Sequence, residues 1–312
     1  MVRIAVGMMG SSVASGSGSL ATAAQVKEFL SVVKKHAVKE LDTARVYNGG
    51  KSEELLGEVK ACDDFVISTK APGFSPGSLS EANILRNAKL SVEALGKIDI
   101  YYFHGPDSQT PLEEQCRAIG HLYKQGTFKR FGISNLNDKQ VEQIWEICKR
   151  EGYPPPSVYQ GNYSAMSRNN LRALRPILDK YGMQFYAYSP LAGGLLAKGI
   201  DATINPEKGS RYESMPVFGK MFHKPEMVEA FRHLQAACDA AKTGLMEATL
   251  RWTLHHSDLQ ERDAVIIGAG KTEQIDASLT ACEKGPLESK ELINAFDELW
   301  TAISDVAPPA FL

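Results

Sequence analysis

FVISTK (65–70), EANILRNAKLSVEAL (81–95) and IDIYYFH (98–104) form the stretch on which the fold turns. The two outer runs are rich in β-branched and aromatic residues. Their apolar positions are successive rather than alternating, as in strands covered on both faces. The run between them spaces its apolar residues three and four apart and reads as an amphipathic helix. Strand, helix, strand is the unit of a parallel sheet.

Outward from this stretch the pattern repeats. RIAVGM (3–8), KELDTA (39–44), FKRFGIS (128–134), VYQGNY (158–163), QFYAYSP (184–190) and AVIIGA (264–269) bring the strands to eight. Helical patterns lie at 23–38, 111–126, 138–152, 170–182 and 225–242. Asn137 and Asn170 stand where a cap or early helix residue belongs, and Gly126, Gly152 and Gly182 where a helix stops. Eight alternations predict an α/β protein, a closed (β/α)8 TIM barrel forming one domain over residues 1–312. The one long irregular stretch is 191–224, after the seventh strand, and loops of that length are usually functional.

Composition bounds the function. The chain has 312 residues, 43% hydrophobic and 23% charged, with a net charge of −2. The mixed charge points away from nucleic acid and anionic membrane, and no apolar run reaches the length of a membrane span. The first residues, MVRIAVGMMGSS, read as a short strand rather than a signal peptide. Five scattered cysteines without a CxxC pair read as reduced thiols of a cytoplasmic protein. A competing pattern is G-x-G-x-x-A at Gly16, Gly18 and Ala21, with Glu40 downstream, as in a dinucleotide-binding open sheet. The first strand ends near Met8, so these glycines do not follow it directly and read better as a flexible loop.

In such a barrel the carboxyl ends of the strands carry the chemistry. Here they carry Asp42 with Tyr47 shortly after it, Lys70, His104, Ser134 with Asn135, Gln160, and Tyr188 with Ser189. Each has a bland reading as a cap, a turn residue or a solvated end. Their convergence on one rim favours a site. Tyrosine is a poor acid at neutral pH, but a neighbouring ammonium eases proton donation to a developing alkoxide. Asp42 is expected to neutralise and orient Lys70, and a neutral His104 to hydrogen-bond a carbonyl oxygen. No metal-ligand spacing, nucleophile elbow or phosphate-loop motif accompanies them. A carbonyl reduction needs an external reductant, and a nicotinamide is the simplest.

At these residues the chain resembles the aldo-keto reductases. LDTARVYNGGKSEELLG (41–57), STK (68–70) and YYFHGPD (101–107) look like the family's catalytic segments. FGISNLN (131–137), YQGNYS (159–164) and AYSPLAGGLL (187–196) look like its cofactor segments. PLAGGLL with the following GSRYE, then TLRWTLHHSDLQ (249–260) and EKGPLE (283–288), resemble the aflatoxin-aldehyde reductase branch.

The resemblance implies NADPH as cofactor and a catalytic tetrad of Asp42, Tyr47, Lys70 and His104. It implies that Ser134, Asn135 and Gln160 hold the nicotinamide carboxamide and that Tyr188 stacks on its ring. Ser189, Leu191, Gly193 and Arg211 would cover pyrophosphate and ribose, making 191–224 a cofactor clasp. The segment 268–278, with Gly268, Gly270, Lys271, Gln274 and Ser278, would receive the adenosine phosphate. Gln274 and Ser278 depart from the arginine and asparagine common there, which leaves Lys271 as the cation. The tail APPAFL lacks a terminal arginine, which argues against small carboxylated aldehydes.

The expected reaction is reduction of an aldehyde or ketone, either a reactive aldehyde or a secondary-metabolite carbonyl. The expected partner is that small molecule; a homodimer is admitted. One alternative is a cofactor-binding partner protein like the potassium-channel β subunits, whose long N-terminal extension this chain is expected to lack. Another is a lyase using Lys70 as a Schiff base, which leaves Tyr47, His104 and Asp42 unexplained.

Overall fold

A computed structural model describes residues 2–10, 20–208 and 210–311. The glycines of the competing dinucleotide pattern, Gly16 and Gly18, lie outside the described residues. Eight parallel strands close in chain order: β1 (Arg3–Gly7), β2 (Glu40–Asp42), β3 (Val66–Ala71), β4 (Ile98–Phe103), β5 (Phe128–Ser134), β6 (Val158–Asn162), β7 (Gln184–Tyr188) and β8 (Ala264–Gly268). β8 pairs back onto β1 through Gly268 opposite Gly7, so no strand edge is left open. The single-domain (β/α)8 barrel expected from the sequence is the observed fold.

The outer layer contains α1 (Ala23–Lys35), α2 (Lys51–Glu58), α3 (Glu81–Leu95), α4 (Leu112–Lys124), α5 (Asp138–Glu151) and α6 (Asn169–Lys180). Asn137 caps α5 reciprocally with Gln140, and Gly152 ends that helix in the left-handed conformation. Asn170 is instead the second residue of α6, and its side-chain amide ties down the carbonyl of Ala310 at 2.6 Å. After β7 come four short helices, α7 (Leu195–Lys198), α8 (Asp201–Ile204), α9 (Arg211–Ser214) and α10 (Val217–Phe222). The stretch read as irregular is therefore largely helical. Four longer helices complete the layer: α11 (Pro225–Ala240), α12 (Leu245–His255), α13 (Thr272–Cys282) and α14 (Lys290–Ile303). No helix among the described residues is long and apolar enough to cross a membrane.

Side-chain parity positions the site. Successive strand residues point to opposite faces. Tyr101 and Phe103 of β4 join the apolar layer beneath the helices, whereas Ile100 and Tyr102 point inward. Inside the barrel they pack with Ala5, Val158, Tyr186, Ala264 and Ile266. Gly132 leaves the room that the Tyr102 ring fills, since a Cβ there would overlap it. Lys70 pairs with Tyr102 in register and shares its inward parity. The polar residues at the strand ends are thus one further inward layer, stacked on an apolar floor.

Candidate active site

Lys70 is fully buried, and its ammonium donates to Asp42 Oδ2 at 2.6 Å and to the Thr43 carbonyl at 2.7 Å. Gln160 of β6 donates its amide to the other Asp42 oxygen at 2.8 Å. A lone ammonium here would carry several kcal/mol of desolvation penalty, so Asp42 is what allows it to stay charged. Burial works against the Lys70 charge, but Asp42 and Tyr47 outweigh it and hold its pKa above the ordinary lysine value.

Tyr47 opens a 3-10 turn, Tyr47–Gly50, directly after β2. Asn48, Gly49 and Gly50 all have positive φ, which turns the chain sharply enough to bring the phenol back over the barrel mouth. The Lys70 nitrogen lies 5.1 Å from the Tyr47 ring centroid. Burial raises the phenol's pKa, and Lys70 pulls it down only in part. Desolvation of a phenolate thus exceeds the attraction of one ammonium already shared with Asp42, so Lys70 eases proton release without bringing the phenol below its ordinary pKa.

His104 follows β4, and its ring meets Tyr47 edge-on with centroids 5.7 Å apart. Burial, then repulsion from Lys70, lower its pKa to about 3, so the ring is neutral at physiological pH. Phe74 also meets the His104 ring edge-on at 5.7 Å, in the left-handed region at φ +69° and 56% exposed. Two glycines make this possible. A Cβ on Gly73 would overlap the backbone of Gly105, and one on Gly105 would overlap the Phe74 ring. Asp107 locks the two loops together, accepting from the Gly77 and Leu79 amides at 2.8 Å and from the Thr110 hydroxyl at 2.6 Å.

The expected cofactor residues fall into three groups. Ser134, Asn135, Gln160 and Tyr188 share the inner rim with Lys70. Asn135 has positive φ and is a hub: its amide donates to the His104 carbonyl and to Ser134 Oγ, both at 2.9 Å, and its oxygen accepts from Tyr188 at 2.8 Å. Any contact of Asn135 with a carboxamide has to share or replace one of these bonds.

The second group follows β7. Ser189 has φ +58°, and its carbonyl accepts from Ala192. The Leu191 carbonyl accepts from Gly194, and Gly193 has φ +70° with the Phe218 ring where a Cβ would be. Tyr212 reaches back to the Ala192 carbonyl at 3.0 Å. Arg211 extends to the Gly10 carbonyl at 3.3 Å, bridging this segment to the residues that follow β1.

The third group surrounds the start of α13. Gly268 ends β8, Lys271 caps α13 and is exposed, and Gln274 accepts from the Gly270 amide at 3.1 Å. Ser278 is separate: it is buried on α13, with its hydroxyl 3.5 Å from Met246 Sδ. A helix N-terminus, an exposed lysine and a largely buried guanidinium form a donor set that suits an anionic dinucleotide.

Sequence reasoning missed the support behind this rim. Glu53 on α2 is fully buried and ion-paired with Arg45. It also accepts from Thr69 at 2.5 Å and Ser91 at 2.7 Å.

A barrel with these residues on its carboxyl rim defines the class. The model of the aldo/keto reductase family matches residues 3–301, and the chain belongs to that family. It is similar to oxidoreductase sirO of Leptosphaeria maculans, 38% identical over 295 residues, covering 92% of this chain and 89% of the relative. It is 36% identical over 309 residues to aflatoxin B1 aldehyde reductase member 2 of Homo sapiens, covering 93% and 85%. Aldo-keto reductase pigE of Monascus ruber is 28% identical over 334 residues, covering 99% and 96%. The family generally uses nicotinamide cofactors and acts on small carbonyl compounds.

Proposed function

We propose that the chain reduces an aldehyde or ketone to the alcohol with NADPH, Tyr47 being the proton donor. The carbonyl belongs to a reactive aldehyde or to a secondary metabolite. The observation that carries this is the placement of the Tyr47 phenol between the buried Lys70–Asp42 pair and a neutral His104.

Bound nicotinamide supplies the hydride. The protein supplies the rest. His104, neutral, donates to the carbonyl oxygen and orients it without bringing a charge that would have to be desolvated. Tyr47 stays protonated because burial disfavours its phenolate. It releases the proton when a strongly basic alkoxide forms, and Lys70 stabilises the phenolate left behind. Asp42 keeps Lys70 charged and aimed, and Gln160 holds Asp42. A cytoplasmic location is supported by the five cysteines, all free thiols.

Tyr47→Phe tests the proposal. It should retain NADPH binding and lose carbonyl reduction by about 10²-fold or more, the scale of general acid catalysis. Turnover near that of the unmodified protein removes Tyr47 from the mechanism.

A further inference from the structure

We propose that Glu53 is a positioning residue that sets the geometry of the Tyr47–Lys70 pair from behind the barrel wall. The inference rests on the reading of Tyr47 as proton donor.

Glu53 touches neither ring nor ammonium, yet its contacts end on the segments that carry both. Its Oε1 accepts from Thr69, the residue before Lys70. Parity explains this: Lys70 faces into the barrel, so Thr69 faces out, toward the helices. The same oxygen accepts from Ser91 of α3. Oε2 holds the Arg45 guanidinium, two residues before Tyr47. The Arg45 backbone amide donates to the Lys70 carbonyl at 3.3 Å. The turn that presents Tyr47 then folds over the guanidinium so closely that a Cβ on Gly50 would overlap it. One carboxylate thus ties together the turn of Tyr47, the strand of Lys70 and the helix behind them.

Stability alone is a poor reason for this arrangement. The Glu53 side chain is 0% and the Arg45 side chain 16% exposed. Taking such ions out of water costs several kcal/mol each, and well-packed apolar replacements of a buried pair are often neutral or stabilising. What an apolar pair lacks is direction. A carboxylate with three donors at set angles fixes where Arg45 and Thr69 sit, and hence the heights of Tyr47 and Lys70. Misplacement of reacting groups by about 1 Å is enough to slow a reaction that depends on their alignment.

The test is the double variant Arg45→Met/Glu53→Leu beside Glu53→Gln and Glu53→Asp. Thermal stability, NADPH binding, kcat, substrate KM and the NMR resonance of the Tyr47 phenol carbon are measured on each. We expect the double variant to melt below the unmodified protein, since the buried Thr69 and Ser91 hydroxyls lose their acceptor, but to stay folded at assay temperature and bind NADPH normally. Its kcat should fall about tenfold or more with little change in KM, and the Tyr47 resonance should move while that of Tyr181, on the outer surface, stays. Glu53→Asp should recover part of the rate. If the double variant does not fold, Glu53→Gln decides by the same readouts. Unchanged kcat and an unmoved Tyr47 resonance in a folded variant overturn the proposal, as does a loss of rate that only tracks the folded fraction. The resonance does not depend on turnover, so it still judges Glu53 if Tyr47→Phe shows that the proton comes from elsewhere.

Discussion

Phe74 stands edge-on to His104, with ring centroids 5.7 Å apart and planes at 64°. A left-handed backbone costs a bulky residue about 1–3 kcal/mol, and the ring gains little by burial, since it is half in solvent. The strain is held in place by Asp107 and the Gly73–Gly105 contact. We expect the ring to form a wall for the substrate's apolar body. Phe74→Ala should lower kcat/KM for aromatic aldehydes by about three- to tenfold, the worth of an aromatic contact, and leave small aliphatic aldehydes nearly unaffected. An equal loss for both classes sinks the idea.

Lys271 is the one cation in the sequence 268–278, and it stands exposed at the start of α13. NADPH should therefore bind more tightly than NADH. Lys271→Ala should narrow the gap by about tenfold, since a charge-assisted contact to phosphate is worth roughly 1.5–3 kcal/mol. Fluorescence titration with both nucleotides measures it, and equal affinities in the unmodified protein would refute it.

Arg211 is held by burial below its ordinary pKa while reaching across to Gly10. A guanidinium desolvated to that degree favours an anion, and we expect the helices α7–α10 around it to close as a clasp over bound dinucleotide. Amide hydrogen exchange over residues 210–222 should slow markedly when NADPH is added. Identical exchange with and without it would make the segment a bystander.

His36, at the end of α1, lies between two carboxylates of the α13 region, Nε2 2.8 Å from Asp276 and Nδ1 2.7 Å from Glu283. A neutral imidazole has one N–H and can satisfy only one of them, so the geometry selects the charged form. Burial opposes that charge, but the two carboxylates outweigh it and raise the His36 pKa above its ordinary 6.5. The resulting stabilisation is complete below that ordinary value and is lost as pH rises through the raised one. The melting-temperature gap between the unmodified protein and His36→Ala should be larger near pH ~6 than near pH ~9. A gap that does not change with pH counts against the charged clamp.

The barrel, and the polar residues Asp42 and Lys70 at its strand ends, were legible because both depend on strands. A buried parallel strand announces itself as an apolar run, and a polar residue at its end is conspicuous by contrast. Other parts left no such trace. The helices α7–α10 span four to six residues each, too short to show a period or to hold without packing. Tyr212, Phe222 and Leu195 supply that packing from inside the segment. Glu53 reads in sequence as an ordinary first-turn acid. Its partners lie 8, 16 and 38 residues away, and only closure of β2 on β3 and of α2 on α3 brings them together. Phe74 was hidden because nothing local predicts a phenylalanine at positive φ.

The Gly73–Gly105 contact bears on how such an enzyme changes over generations. A methyl group on Gly73 meets the Gly105 backbone and forces the two loops apart, and one on Gly105 displaces the Phe74 ring. The Lys70 hydrogen bonds to Asp42 and Thr43 lie within the barrel wall and do not depend on that spacing. One-residue changes at positions 73 and 105 therefore offer a lineage a short mutational path to a reshaped wall beside His104, with the Lys70–Asp42 pair inherited intact.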